Sequence, residues 1–164
     1  MRVFGVDPST VATGWGVVDG DPRRPLWVAS GVVRCRGGMG TRLAKLHAEL
    51  VRLLRKYRPQ ELSLEQGFAG NNVQAALRLG EARGVVLAAA GGFGIPVAEY
   101  APATIKLAVT GDGRATKAQV QFMIQRLLGL PEPPAEDAAD ALAAAVCHLQ
   151  IQPSRSLVRT RHKR

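Results

Sequence analysis

Residues 41–65 read TRLAKLHAELVRLLRKYRPQELSLE, and this stretch decides the fold class. Leu43, Leu46, Leu50, Leu53 and Leu54 recur at helical spacing with charges on the opposite face, which predicts an amphipathic helix over 41–57. Glu61–Glu65 (ELSLE) then reads as a short strand. A strand reached through a helical crossover usually runs parallel to an earlier one. Earlier in the chain, RVFGVD (2–7), GWGVVD (14–19) and LWVASGVVR (26–34) are β-leaning runs joined by two short turns, the pattern of an antiparallel meander. Later come a helix over 73–90, a strand IPVAE (95–99) that Pro96 confines near an edge, and helices over 102–109 and 116–128. After the break GLPEPPAE comes an alanine-rich helix over 137–150. The order β-β-β-α-β-α-β-α-α-α predicts an α/β fold, one five-stranded mixed sheet flanked by helices.

A chain of 164 residues suits a single domain with its own core, and 46% hydrophobic with 21% charged residues is a globular composition. No apolar run is long enough to span a membrane, and MRVFGVDPST has no signal-peptide pattern, so a cytoplasmic protein is expected. Cys35 and Cys147 read as buried thiols of a reducing compartment. His47, His148 and His162 lie too far apart in sequence to suggest zinc. The formal charge is +9, and five of the 22 basic residues fall in PSRSLVRTRHKR (153–164). This balance favours a nucleic-acid partner.

Against that excess, acids gather at three places. Asp7 closes the first strand and Glu65 the fourth; if those strands are parallel neighbours, both acids stand at one carboxyl edge, where α/β sheets bind ligands. Asp137 and Asp140, three apart, share a face at the start of the last helix. Acids there also complement the helix dipole, which alone would be an ordinary reason for them. Four carboxylates brought together repel one another unless cations neutralise them, and hard oxygen ligands suit Mg²⁺ or Mn²⁺. Two such ions about 3.5–4 Å apart can clamp the attacking and leaving oxygens of a phosphodiester. A basic body around an acidic metal pocket describes a nuclease.

GVDPSTVATGWGVV, LSLEQGF, LRLGEARGVV, VAEYAPATIKLAVTGDGRATKAQVQFMI and AEDAADALAAAV together resemble the RuvC family of bacterial Holliday junction resolvases, in order and over nearly the whole body. The resemblance implies a ribonuclease H-like fold and a homodimer that nicks two opposed strands of a four-way junction with Mg²⁺ or Mn²⁺, two ions per site. It implies cooperation with the RuvA and RuvB branch-migration proteins. It places metal-binding acids at Asp7, Glu65, Asp137 and Asp140, and lysines near the scissile phosphate at Lys106 and Lys117. The nuclease domain would occupy residues 1–152, with 153–164 a basic, flexible tail. One departure is visible: the family's usual glycine after "DP" is replaced by Ser9, which is tolerated unless the turn needs positive φ.

Other residues have both bland and functional readings. Phe68, beside Glu65 in a Gly- and Asn-rich loop, is a candidate for stacking on an unpaired base. Asn71 and Asn72 are candidate caps of the following helix, with a DNA contact at Asn72 as the lesser option. Arg78 and Arg83 are surface charges or DNA contacts, and His148 is structural. Gly80 and Gly84 imply a close backbone approach, either in the core or at a dimer interface.

Overall fold

The computed structural model describes residues 1–67 and 72–161, with side chains as far as Ile151. Five strands, β1 (Val3–Asp7), β2 (Ala12–Asp21), β3 (Arg24–Arg34), β4 (Glu61–Glu65) and β5 (Val97–Tyr100), form one sheet in the order β3-β2-β1-β4-β5. β1, β2 and β3 are antiparallel neighbours, while β1, β4 and β5 are parallel. The helices are α1 (Met39–Tyr57), α2 (Val73–Gly92), α3 (Pro102–Thr110), α4 (Lys117–Leu127) and α5 (Glu136–Arg161). The mixed sheet flanked by helices is the expected one, and β5 is an edge strand.

Three boundaries differ from the sequence reading. The β2–β3 hairpin is longer, because the Asp21 carboxylate accepts hydrogen bonds from the Arg23 and Arg24 amides and closes a tight turn around Pro22 and Arg23. β5 begins one residue after Pro96, which can lend its carbonyl to the Leu62 amide but has no N–H to give. The helix expected to end at Gln150 continues to Arg161, into the segment read as a separate tail. Ile151 still packs against the core there, and extending an existing helix costs far less than starting one.

The sheet separates two apolar layers. Phe4, Val6, Val17, Leu62 and Leu64 meet α1 and α2 on one face. Val3 and Val18 meet the layer of α3, α4 and α5 on the other, where Leu142, Val146 and Leu149 are buried. In the first layer the leucine stripe of α1 does what its spacing predicts: Leu46, Leu50, Leu53 and Leu54 are all at most 2% exposed.

In the second layer α5 lies directly on β1 and β2. A Cβ added at Gly5 would stand 1.9 Å from the Ala141 carbonyl oxygen, and one at Gly14 would stand 1.8 Å from that of Asp137. Gly16 faces Leu142 in the same way. Ala138, Ala139, Ala141, Ala143, Ala144 and Ala145 are all buried, so the helix is as slim as the trough is shallow. This contact sets where the start of α5 stands relative to the sheet.

Gly14→Ala should therefore force α5 off the sheet. An overpacked backbone contact of this kind costs about 3 kcal/mol or more, on the order of a 10 °C drop in melting temperature for a domain of this size. Gly40→Ala, in α1 with nothing within 4 Å of the added carbon, should leave the melting temperature equal or slightly higher. Equal melting of the two variants would show that the trough does not carry the helix.

Candidate metal and nucleic-acid site

Strand alternation aims the first two acids. On β1, Phe4 and Val6 enter the α1/α2 layer, so Val3, Gly5 and Asp7 face α5. On β4, Leu62 and Leu64 enter the same layer as Phe4, leaving Glu61, Ser63 and Glu65 toward α5. The parallel register sets Val6 opposite Leu64, which brings Asp7 and Glu65 to the same carboxyl edge.

Helix α5 is pinned along that row. The Ser63 hydroxyl donates to the Ala144 carbonyl at 2.7 Å, and His148 Nε2 lies 2.7 Å from Glu61 Oε2. With Ala141 seated over Gly5, the first turns of the helix reach past the strand ends, carrying Asp137 and Asp140 to Asp7 and Glu65. All four acids therefore share one edge, and Asp7 feels the charge of the other three. Lys117 opens α4, where Thr116 and Gln119 form a reciprocal cap. Its ammonium lies 2.6 Å from Glu136 Oε1 and 3.5 Å from Asp140 Oδ2. Lys106, from α3, joins Glu65, Lys117 and Asp140 in lining a cleft of about 170 Å³.

Burial and mutual proximity dominate the electrostatics of these acids. Asp7 is pushed up to about 7, first by burial, then by Glu65, Asp140 and Asp137, with Lys117 opposing. Burial, followed by Asp140, also raises Glu65, while Lys117 and Lys106 pull it down. Asp140 is raised, chiefly by burial. Lys117 is raised, first by its hydrogen bond to Glu136, and stays charged. Among the described residues no three Asp, Glu, His or Cys side chains form a closed ligand cluster. Lys117 stands as countercharge beside Asp140. The donor set, carboxylate oxygens without thiolate or imidazole, fits Mg²⁺ or Mn²⁺ and not zinc.

The remaining candidates separate clearly. Phe68 and Asn71 lie outside the described residues. Asn72 is the N-cap of α2, its side-chain oxygen accepting from the Ala75 amide at 3.0 Å. Arg78 is exposed and lines a groove of about 350 Å³ with Gln74 and the turn Pro8–Val11 that follows Asp7, separate from the cleft lined by the lysines. Arg83 does not stand out as a free surface charge: it pairs with Glu99 at 2.8 Å and donates to the Glu65 carbonyl at 3.0 Å. His148 is structural as expected, fully buried between Tyr100 and Glu61. Ser9 fits without strain, since Arg58 is the only non-glycine with positive φ among the described residues. The Ser9 hydroxyl accepts from the Val11 and Ala12 amides, a clasp that glycine could not make. The pairing of Glu136 with Lys117 is a contact between helices that no local spacing in the sequence reveals.

The chain is similar to proteins of one known family. A family model described as crossover junction endodeoxyribonuclease RuvC matches residues 3–148. The protein of that name from Magnetococcus marinus is 46% identical over 151 residues, covering 91% of this chain and 84% of its own length. The one from Halorhodospira halophila is 50% identical over 149 residues, covering 90% and 89%. Among solved structures, Thermus thermophilus RuvC in complex with a Holliday junction substrate superposes with a TM-score of 0.90 at 32% identity, covering 95% of this chain and 97% of that one. The yeast mitochondrial Holliday junction resolvase shares the fold alone, at 13% identity and a TM-score of 0.66.

The raised Asp7 carboxyl has a consequence for stability in the absence of divalent metal. The folded protein holds this proton more tightly than the unfolded chain, so stability falls as pH rises from about 4 to about 7, and the full cost persists above that. Asp7→Asn removes the charge. In EDTA it should be more stable than the parent near pH 8, by at most about 4 kcal/mol, with the gap closing near pH 4. Melting curves at the two pH values check this; a gap independent of pH would contradict the buried, repelled carboxylate.

Proposed function

The chain belongs to the RuvC family of crossover junction endodeoxyribonucleases, and on that premise we propose that Asp7, Glu65, Asp137 and Asp140 form the two-metal centre with which it cuts Holliday junctions. The protein binds four-way junction DNA and resolves it, using divalent metal, by nicks in opposed strands. The observation that carries the residue assignment is the meeting of β1, β4 and α5 at one carboxyl edge, where burial and mutual repulsion raise Asp7 to about 7.

Two Mg²⁺ or Mn²⁺ ions, when bound, would lower the pKa of the attacking water and share the charge on the leaving oxygen. Asp7, Glu65, Asp137 and Asp140 would hold them. Lys106 and Lys117, across the cleft, stabilise the charge that develops on the scissile phosphate. Glu136 restrains Lys117 until a phosphate competes for it. Arg78 and Asn72, which line the groove beside the turn after Asp7, contact the DNA strand, and Phe68 stacks on an unpaired base. The basic charge of 153–164 adds attraction to duplex DNA, where each phosphate neutralised releases counterions.

Two symmetric cuts call for two sites related by a two-fold axis. The α2 helix offers the seam. Val73, Leu77 and Leu87 are 70%, 58% and 40% exposed, and Gly80 and Gly84 have nothing within 4 Å of an added carbon. The core alternative for these glycines is therefore excluded. The five positions are spaced four, three, four and three apart, a continuous stripe suited to a second copy. RuvA and RuvB would present the junction to this dimer. Among the described residues no helix is long and apolar enough to cross a membrane, and two buried free thiols suit the cytoplasm.

Incubated with a synthetic four-way junction and Mg²⁺ or Mn²⁺, the protein should make paired nicks in opposed strands and leave an RNA–DNA hybrid intact. Asp140→Asn should reduce cleavage by about 10³-fold or more, with junction binding retained or tightened as repulsion falls. Near-normal cutting by this variant would remove Asp140 from the centre. Gly84→Leu should shift the sedimenting species from dimer to monomer. An unchanged dimer would place the interface elsewhere.

A further inference from the structure

The parallel ladder leaves one carbonyl at the site without its regular partner. The Leu62 and Gln66 amides donate to the carbonyls of Pro96, just before β5, and of Tyr100, at its end, at 2.9 and 2.8 Å. Backbone bonding alternates side to side along a strand, so Glu61, Ser63 and Glu65 turn their backbone groups toward β1. With Val6 opposite Leu64, the N–H that should meet the Glu65 carbonyl belongs to residue 8. Residue 8 is proline and has none. A half-buried carbonyl at the base of an acidic cleft therefore needs a donor from outside the sheet.

Arg83 supplies it. Nη1 donates to the Glu65 carbonyl at 3.0 Å, while Nη2 is fixed on Glu99 Oε2 at 2.8 Å, with the arginine side chain 21% exposed. Leu64 and Glu99 are register partners, so the guanidinium spans the ends of β4 and β5 from α2. Close by, Gly67 is pressed against Leu79 of the same helix, where a Cβ would stand 2.0 Å from a methyl carbon. The segment leaving Glu65 is thus held to α2 at two points.

We propose that Arg83 is a positioning residue for cleavage: it replaces the hydrogen bond that Pro8 cannot give and so fixes the peptide from which the Glu65 carboxylate is aimed. It touches neither DNA nor metal, and this inference rests on the reading of Glu65 as a metal ligand. Groups that orient metal ligands commonly contribute 10–100-fold to metal affinity or activity.

Two variants test it. Arg83→Lys keeps the positive charge that a phosphate contact would use but loses the planar fork that reaches two acceptors at once. Glu99→Gln leaves Arg83 in place with a weaker anchor, and removes a negative charge, which would tighten DNA binding if charge alone mattered. The readouts are junction affinity in EDTA as a function of salt, Mn²⁺ binding by calorimetry, and single-turnover cleavage at saturating protein. Arg83→Lys should cut about tenfold more slowly and bind Mn²⁺ several-fold more weakly, with affinity and salt slope within twofold of the parent. Glu99→Gln should move rate and metal binding the same way by less, and being at the surface it should fold even if Arg83→Lys does not. Weakened junction binding with an unchanged rate and metal affinity would make Arg83 a DNA contact and overturn the proposal. Unchanged values throughout would overturn it as well. If the parent protein itself fails to cut the junction, it is the assignment of the metal centre that fails.

Discussion

Helix α5 meets the sheet backbone to backbone. Over Gly5 and Gly14 the carbonyls of Ala141 and Asp137 occupy space that any side chain on the strands would fill. Two sequence features make this possible: small strand residues, and an alanine face on a helix too slim to hold itself away. A helix packed in the ordinary way stands 8–10 Å from its neighbour, at a distance set by side chains. Here that spacer is missing, and the first turn of α5 sits low enough for Asp137 to lie over Gly14, the register partner of Asp7. The polar contacts along the rest of the helix, Ser63 to Ala144 and Glu61 to His148, fix its slide and rotation on β4. Repulsion among the acids is thus held within the fold by packing and hydrogen bonds formed elsewhere along the same helix.

Helix α2 has a comparable double duty. Its inner residues Ala82, Val86, Ala89 and Ala90 are buried in the α1 layer, while the stripe from Val73 to Leu87 faces outward. From the same helix, Arg83 holds the end of β4 and Leu79 receives Gly67. A surface suited to a second subunit and the support of one catalytic strand are therefore built on a single rigid element.

The strand and helix order and the crossover that makes β4 parallel were legible, because period and chain order report them directly. The meeting of Asp7 and Glu65 followed if those strands were neighbours, and the full set with Asp137 and Asp140 came from motif resemblance. Lys106 and Lys117 came from motif resemblance, and the structure puts both in the cleft. What escaped were contacts between elements distant in sequence. The pairing of Glu136 with Lys117 is one, since the two sit on different helices. Arg83 looked like any surface arginine, although one clue was present: a proline directly after Asp7 predicts an unmatched carbonyl on the neighbouring parallel strand. The long α5 was shortened in the reading because a segment with few apolar residues and dense charge buries too little surface to fold alone, whereas the backbone continues to Arg161.

The most direct test of the central claim, that packing of α5 on the glycine trough builds a two-ion carboxylate centre, is anomalous diffraction at the manganese edge from crystals grown with Mn²⁺. The account predicts two peaks about 3.5–4 Å apart, both within ligand distance of Asp7 and bounded by Glu65, Asp137 and Asp140. Manganese bound elsewhere, with no peak among these four carboxylates, would contradict it.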